Sequence, residues 1–210
     1  MKQSTEYIFQ RYRDNHAFVA ALEPELRETI ELLKASYRNG GKLLVCGNGG
    51  SSADADHIVG ELMKAFRIRR PLDEKTRAEL SGSGQLADKL EGALPAINLS
   101  AHTALMTAQS NDVGADYIYA QQVIGYGGTG DVLLGISTSG NSRNILYAAQ
   151  AAHARGMKTV GLTGRDGGKM KESFDVLLRA PADSTEDIQD IHSTLYHILC
   201  AALENEFWGE

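Results

Sequence analysis

Four hydroxyls crowd into six residues at Ser137-Thr138-Ser139-Gly140-Asn141-Ser142, directly after an apolar run and before an Ala-rich segment with helical spacing. Hydroxyls together with the free N–H groups of a helix start can enclose a phosphate without any fixed positive charge. Redundant capping is the competing reading, but one cap uses one hydroxyl. A second loop, Cys46-Gly47-Asn48-Gly49-Gly50-Ser51-Ser52, has the same placement and is rich in glycine. It reads either as an anion site on backbone N–H groups and a helix dipole, or as a tight turn capped by Ser51 or Ser52. Ser52 stands where a dinucleotide fingerprint needs glycine, and the Gly-Lys-Ser/Thr of a P-loop is absent. Nucleotide binding is not expected.

His57 and Glu61, four apart after the glycine-rich loop, fall about 40° apart on one helix face. Gln189 and His197 lie eight apart near the end of the chain, two turns along and about 80° around a helix. Each pair alone is what ordinary hydrogen-bonded surface or core residues look like. Together they offer two imidazoles, a carboxylate and an amide oxygen, a donor set compatible with zinc and equally with general acid–base chemistry.

The elements that must position these groups alternate. Apolar runs at 42–46, 94–99, 131–136 and 159–163, with a fifth at 175–178, read as strands covered on both faces, hence a parallel sheet. Segments with helical spacing lie between them, which predicts an α/β fold: a doubly wound, five-stranded parallel sheet flanked by helices. Two helices are expected first, over 5–21 and 24–39, the second stopped by Gly40-Gly41, and a long apolar helix last, over 184–207. Helices outside the alternating unit often serve association, so an oligomer is expected. The polar stretch 72–91, with Ser81-Gly82-Ser83-Gly84 at its middle, reads as two short helices across a break, inserted before the second strand.

The chain has 210 residues, enough for one domain, with 42% hydrophobic and 23% charged residues and a formal net charge of −6. That charge, with only Arg67-Ile68-Arg69-Arg70 as a basic cluster, argues against nucleic acid as a partner. Two cysteines, Cys46 and Cys200, make no disulfide framework. With no apolar leader at residues 1–6 and no apolar run near the roughly 20 residues of a spanning helix, a cytoplasmic protein with no membrane partner is expected.

The two loops, the pair His57 and Glu61, the stretch Leu162-Thr163-Gly164-Arg165-Asp166-Gly167-Gly168 and Ile188-Gln189-Asp190-Ile191-His192 occur in collinear order. In these the chain strongly resembles the phosphoheptose isomerases, a branch of the sugar isomerase (SIS) domain family, over nearly its whole length outside 67–93. The resemblance implies a single flavodoxin-like SIS domain over 1–210, with N-terminal helices at 1–40 and a helical insertion at 67–93. It also implies a homotetramer with active sites between subunits. The implied reaction converts sedoheptulose 7-phosphate, a small-molecule sugar phosphate, to D-glycero-D-manno-heptose 7-phosphate through a cis-enediol. By motif position Ser51, Ser137, Thr138, Ser139 and Ser142 would hold the phosphate, with Gly49 and Gly50 also at the substrate. Asn48, Asn111, Asp112 and Gln189 would contact substrate. His57, Glu61, Gln189 and His197 would bind zinc, with Glu61 and His197 as the acid–base pair.

Two positions depart from the family pattern. An arginine usual four residues after the glutamate is Ala65, and one usual two residues before the glutamine is Asp187. Two rival readings stand beside the isomerase: a non-catalytic regulator that binds a replication initiator, and a sensor or isomerase of another phosphosugar. Retention of both Glu61 and His197 speaks against the regulator.

Overall fold

The computed structural model describes residues 1–210. Five parallel strands form one sheet in the order β2-β1-β3-β4-β5: β1 (Leu43–Gly47), β2 (Ala96–Asn98), β3 (Val132–Ile136), β4 (Lys158–Thr163) and β5 (Val176–Arg179). All five expected strands are present, displaced by a residue or two. Successive side chains point to opposite faces. Leu43, Val45, Val132, Leu134 and Ile136 therefore enter one buried core, while Leu44, Cys46 and Leu133 enter the other.

The larger core lies under α1 (Gln3–Asn15), α2 (Val19–Arg38), α3 (Gly50–Met63) and α9 (Thr185–Trp208). The smaller lies under α7 (Ile118–Tyr126) and α8 (Arg143–Ala154). The doubly wound arrangement is thus as the apolar runs imply. No helix is long and apolar enough to cross a membrane.

The break between the first two helices falls earlier than expected, at residues 16–18, and α2 runs through Pro24. Pro24, the sixth residue of α2, has no N–H to give and forfeits one rung of the backbone ladder. The turn around it is held by Glu23, which binds Arg13 and Arg27 at 2.5 Å each. At the far end of the chain Ser184 caps α9, its hydroxyl accepting the Asp187 N–H, as the Ser-x-x-Asp spacing allows.

The excursion between α3 and β2 contains α4 (Glu74–Glu79) and the single turn α5 (Leu86–Lys89), and most of it is exposed. Its base is buried. The Gly92 N–H reaches the Arg70 carbonyl at 2.8 Å, and the Ala65 N–H reaches Glu91 at 3.0 Å. Arg70 is fully buried. Its Nε donates to Glu204 at 2.8 Å and its Nη atoms cap the Leu62 and Glu61 carbonyls at 2.6 and 2.7 Å. Glu204 in turn accepts the backbone N–H groups of Phe66, Arg67 and Ile68.

Removing one partner of a buried ion pair strands the other charge, at a cost of about 3–5 kcal/mol. Arg70→Met is expected to lose about that much stability. Urea unfolding reads it as a lower midpoint with an unchanged slope.

Candidate active site

Gly47 ends β1 and must be glycine, because a Cβ there would strike the Ser51 carbonyl group. Gly49, with φ 56° and ψ −121°, turns the chain into α3, a conformation that other residues rarely adopt. No side chain caps that helix start; the Ser51 and Ser52 N–H groups turn back onto the Asn48 and Gly49 carbonyls at 3.1 and 3.0 Å, and the Gly49 and Gly50 N–H groups have no acceptor within the chain. The turn-capping reading of Ser51 and Ser52 is thereby removed.

The hydroxyl-rich loop behaves alike. Ser142 occupies the N-cap position of α8, yet its hydroxyl caps nothing and pairs with the Ser137 hydroxyl at 2.9 Å. Ser139 accepts the Asn141 N–H at 3.2 Å, and Thr138 stands half-buried beside it. Gly140, at φ 65°, packs so tightly against Gly167 that no side chain would fit. Two uncapped helix starts therefore open side by side at the carboxyl ends of adjacent strands, where open α/β sheets bind ligands.

Asn48 joins the loops. It exchanges two amide hydrogen bonds with Asn144, at 3.0 and 2.9 Å, and its oxygen lies 3.2 Å from the Tyr119 hydroxyl. Tyr119 also donates to the Gly47 carbonyl at 2.6 Å and sits 3.1 Å from Ser100. Sequence reasoning did not find Asn144, Ser100 or Tyr119. Nothing local marks a tyrosine seventy residues away as the prop of this turn.

The helices α3 and α9 run parallel, with a nearly constant offset between facing residues. Gly50 abuts Gln189, His57 meets Tyr196 and His197, and the residues just past α3 meet Glu204. His57 Nε2 lies 3.2 Å from Glu61 Oε1 and 3.5 Å from His197 Nε2. His57 Nδ1 lies 3.1 Å from the Tyr196 hydroxyl, which is 3.3 Å from Asp54 Oδ1. The single phenolic proton goes to the Asp54 carboxylate, so the phenol oxygen accepts Nδ1–H of His57. The lone pair of His57 is then on Nε2, facing Glu61 and His197. Burial, and next the neighbouring His57, lower the pKa of His197 below 6.5, against the pull of the Glu61 carboxylate. Burial raises that of Asp54, against the Tyr196 hydrogen bond.

His57 Nε2, Glu61 Oε1 and His197 Nε2 thus gather at one place, and Glu61 Oε2 is buried with no hydrogen-bond partner. Zinc ligands at about 2.0–2.1 Å, tetrahedrally arranged, stand about 3.3–3.4 Å from one another. The two measured separations match. As they stand, no three His, Cys, Asp or Glu side chains are arranged to hold a metal ion; the donor types of His57, Glu61 and His197 fit zinc.

Gln189 does not join the trio. Eight residues separate it from His197, about 12 Å of helix, and its side chain lies against Gly50, where an added Cβ would come within 2.5 Å of Nε2. Within one protomer it attends the glycine-rich loop. Asn111 and Asp112 make no hydrogen bond to either loop or to the trio. They bond to each other at 2.9 Å at the end of α6 (Thr103–Asp112), a helix with no buried residue. His192, in the same motif as Gln189, is wholly buried. Nε2 meets the Thr163 carbonyl at 3.1 Å and Nδ1 is unpartnered.

The SIS domain model matches residues 6–93 and 83–164. A phosphoheptose isomerase of Helicobacter pylori (strain P12) is 41% identical over 187 residues, covering 89% of this chain and 86% of that protein. The solved phosphoheptose isomerase of Francisella tularensis superposes with a TM-score of 0.77 at 32% identity, covering 97% of this chain and 100% of the other. That of Neisseria gonorrhoeae gives 0.74 at 35%, covering 96% and 94%.

Burial lowers the pKa of His192 from 6.5 to about 4. The unfolded chain therefore binds a proton that the folded chain refuses between those values, and stability falls as pH drops from 6.5 towards 4. His192→Gln is expected to flatten that limb of a stability–pH curve measured by urea unfolding.

Proposed function

We propose that this chain, which belongs to the SIS domain family and is a phosphosugar isomerase, interconverts sedoheptulose 7-phosphate and D-glycero-D-manno-heptose 7-phosphate. The observation that carries the reading is the meeting of His57 and Glu61, on the helix that begins at the glycine-rich anion loop, with His197 of α9. The phosphate would rest on the α3 and α8 starts, among Ser51, Ser137, Thr138, Ser139 and Ser142. The dianion is held there by oriented amides and hydroxyls, in a chain whose net charge is −6. Asn48 and Gln189 would orient the sugar hydroxyls from the same loop.

At the carbonyl end, the Glu61 carboxylate would take the C1 proton of the ketose, leaving a cis-enediol, and return a proton to C2. His197 would carry the proton between O1 and O2. Proton count and charge balance across the two transfers. His57, Glu61 and His197 would hold zinc, which when bound supplies Lewis-acid polarisation of the carbonyl and hydroxyl oxygens.

A homotetramer completes the proposal. On one protomer Asn111 and Asp112 stand on a helix that buries nothing, and Leu105, Val113, Tyr117, Ile124 and Tyr126 are exposed nearby. A second copy covering that face would bring the pair to a neighbouring site. The two free, buried cysteines fit a cytoplasmic setting.

Purified protein mixed with sedoheptulose 7-phosphate is expected to form the aldose, and a screen of C5 to C7 ketose phosphates to favour the heptose. No turnover of any of them rejects the reading. Glu61→Gln and His197→Ala are each expected to lower kcat by about 10²–10⁴-fold, with circular dichroism and oligomeric state unchanged. Elemental analysis of protein purified without chelator should find zinc, and His57→Ala should lose it.

A further inference from the structure

The geometry points to Phe66 as the residue that fixes the attitude of the His197 imidazole. The inference rests on the isomerase reading and deepens it. A histidine that binds metal or moves protons is ordinarily oriented through its second ring nitrogen. His57 follows that rule, its Nδ1 held by Tyr196. His197 does not: its one hydrogen-bonding contact is Nε2 with His57 at 3.5 Å, and its Nδ1 makes none. What covers the ring instead is Phe66, stacked on it with centroids 5.7 Å apart and planes 21° from parallel. His57 meets the same ring edge-on, at 5.0 Å and 78°.

Phe66 has no helix or strand of its own, being three residues past the end of α3. Its backbone is fixed by Glu204, whose carboxylate takes the N–H groups of Phe66, Arg67 and Ile68 at 2.8, 2.8 and 3.2 Å. Glu204 is 1% exposed and neutralised by the wholly buried Arg70. It stands seven residues after His197 on α9, about 20° from the same face. One helix therefore carries both the imidazole and the anchor of the ring that stacks on it, and the two move as one body. Phe66 is a positioning residue, acting through His197 and touching no reacting atom.

The test compares wild type with Phe66→Leu, which keeps apolar bulk but has no flat face, and Phe66→Tyr, which keeps the face. Stacking of this kind supports an effect of about three- to tenfold. The Leu variant is expected to lose that much kcat with KM within about twofold, at a positioning cost in the transition state alone, and Tyr to restore it. In protein NMR the His197 ring protons, shielded by the phenyl current, are expected to shift downfield in Phe66→Leu and to stay in place in Phe66→Tyr. A Leu variant with wild-type kcat, or with unmoved His197 resonances, overturns the inference. Should the wild type turn over no heptose phosphate, the function falls on that control, and the resonances alone decide whether Phe66 orients His197.

Discussion

The parallel contact between α3 and α9 is the constraint on which the rest of the molecule depends. Both helices follow strands of one parallel sheet and pack on the same face of it, so they run in the same direction. Residues nearly 140 positions apart then meet at every turn: Gln189 at the glycine-rich loop, Tyr196 and His197 at His57, and Glu204 just beyond the helix end. The contact is apolar beneath, with Ala55, Ile58 and Leu62 facing Leu195, Ile198, Leu199 and Ala202 in one buried core. That burial, at about 25 cal/mol per Å², supplies the energy that polar groups on the outer side of the same helices do not.

Those polar groups conflict with one another as they stand. The Nε2 atoms of two imidazoles and a carboxylate crowd together, Glu61 Oε2 and Asp54 Oδ2 have no hydrogen-bond partner, and the Lys64 ammonium stands 3.9 Å from Glu61. Buried acceptors without donors are costly, and such a conflict is tolerated where a cation, a proton in transit or a substrate hydroxyl resolves it. The anion loops a few turns away show the complementary arrangement, two helix starts that no N-cap side chain closes. Opposite deficits at the two ends of one helix suit a molecule with a dianionic end and a hydroxylated, carbonyl-bearing end.

Much of this was legible in the sequence. Apolar runs bounded by glycine and polar residues located all five strands, because strands buried on both faces need unbroken hydrophobicity. The i, i+4 spacing placed His57 and Glu61 on one face correctly. The same helical arithmetic, two turns for Gln189 and His197, was available, yet the resemblance grouped them at one metal. The length of α9 keeps them about 12 Å apart within a protomer. Pairings across long separations left no local trace. Tyr119 beneath Gly47, Asn144 opposite Asn48, and Phe66 over His197 became visible only when the sheet order fixed which loops are neighbours. The first helix boundary was misplaced because Pro24 read as a start, whereas an early position inside a helix accommodates it.

The same constraint explains why an insertion can sit beside the candidate active site without disordering it. The departing and returning chain are joined at their base, Arg70 carbonyl to Gly92 N–H, with Glu91 bound to Ala65 and Trp208 packed over the junction. Ala65, where relatives are expected to carry arginine, uses its backbone in that junction, and the guanidinium beneath it belongs to Arg70. Arg70 reaches back to the carbonyls of Glu61 and Leu62, so the end of the helix bearing the Glu61 carboxylate is closed by a charge fixed to α9. Once the ends are pinned, lengthening the segment between them adds only about 0.6 kcal/mol for each doubling. The excursion from 72 to 91 can therefore be long, polar and loosely packed while the geometry of Glu61, His57 and His197 is set by the clamp below it.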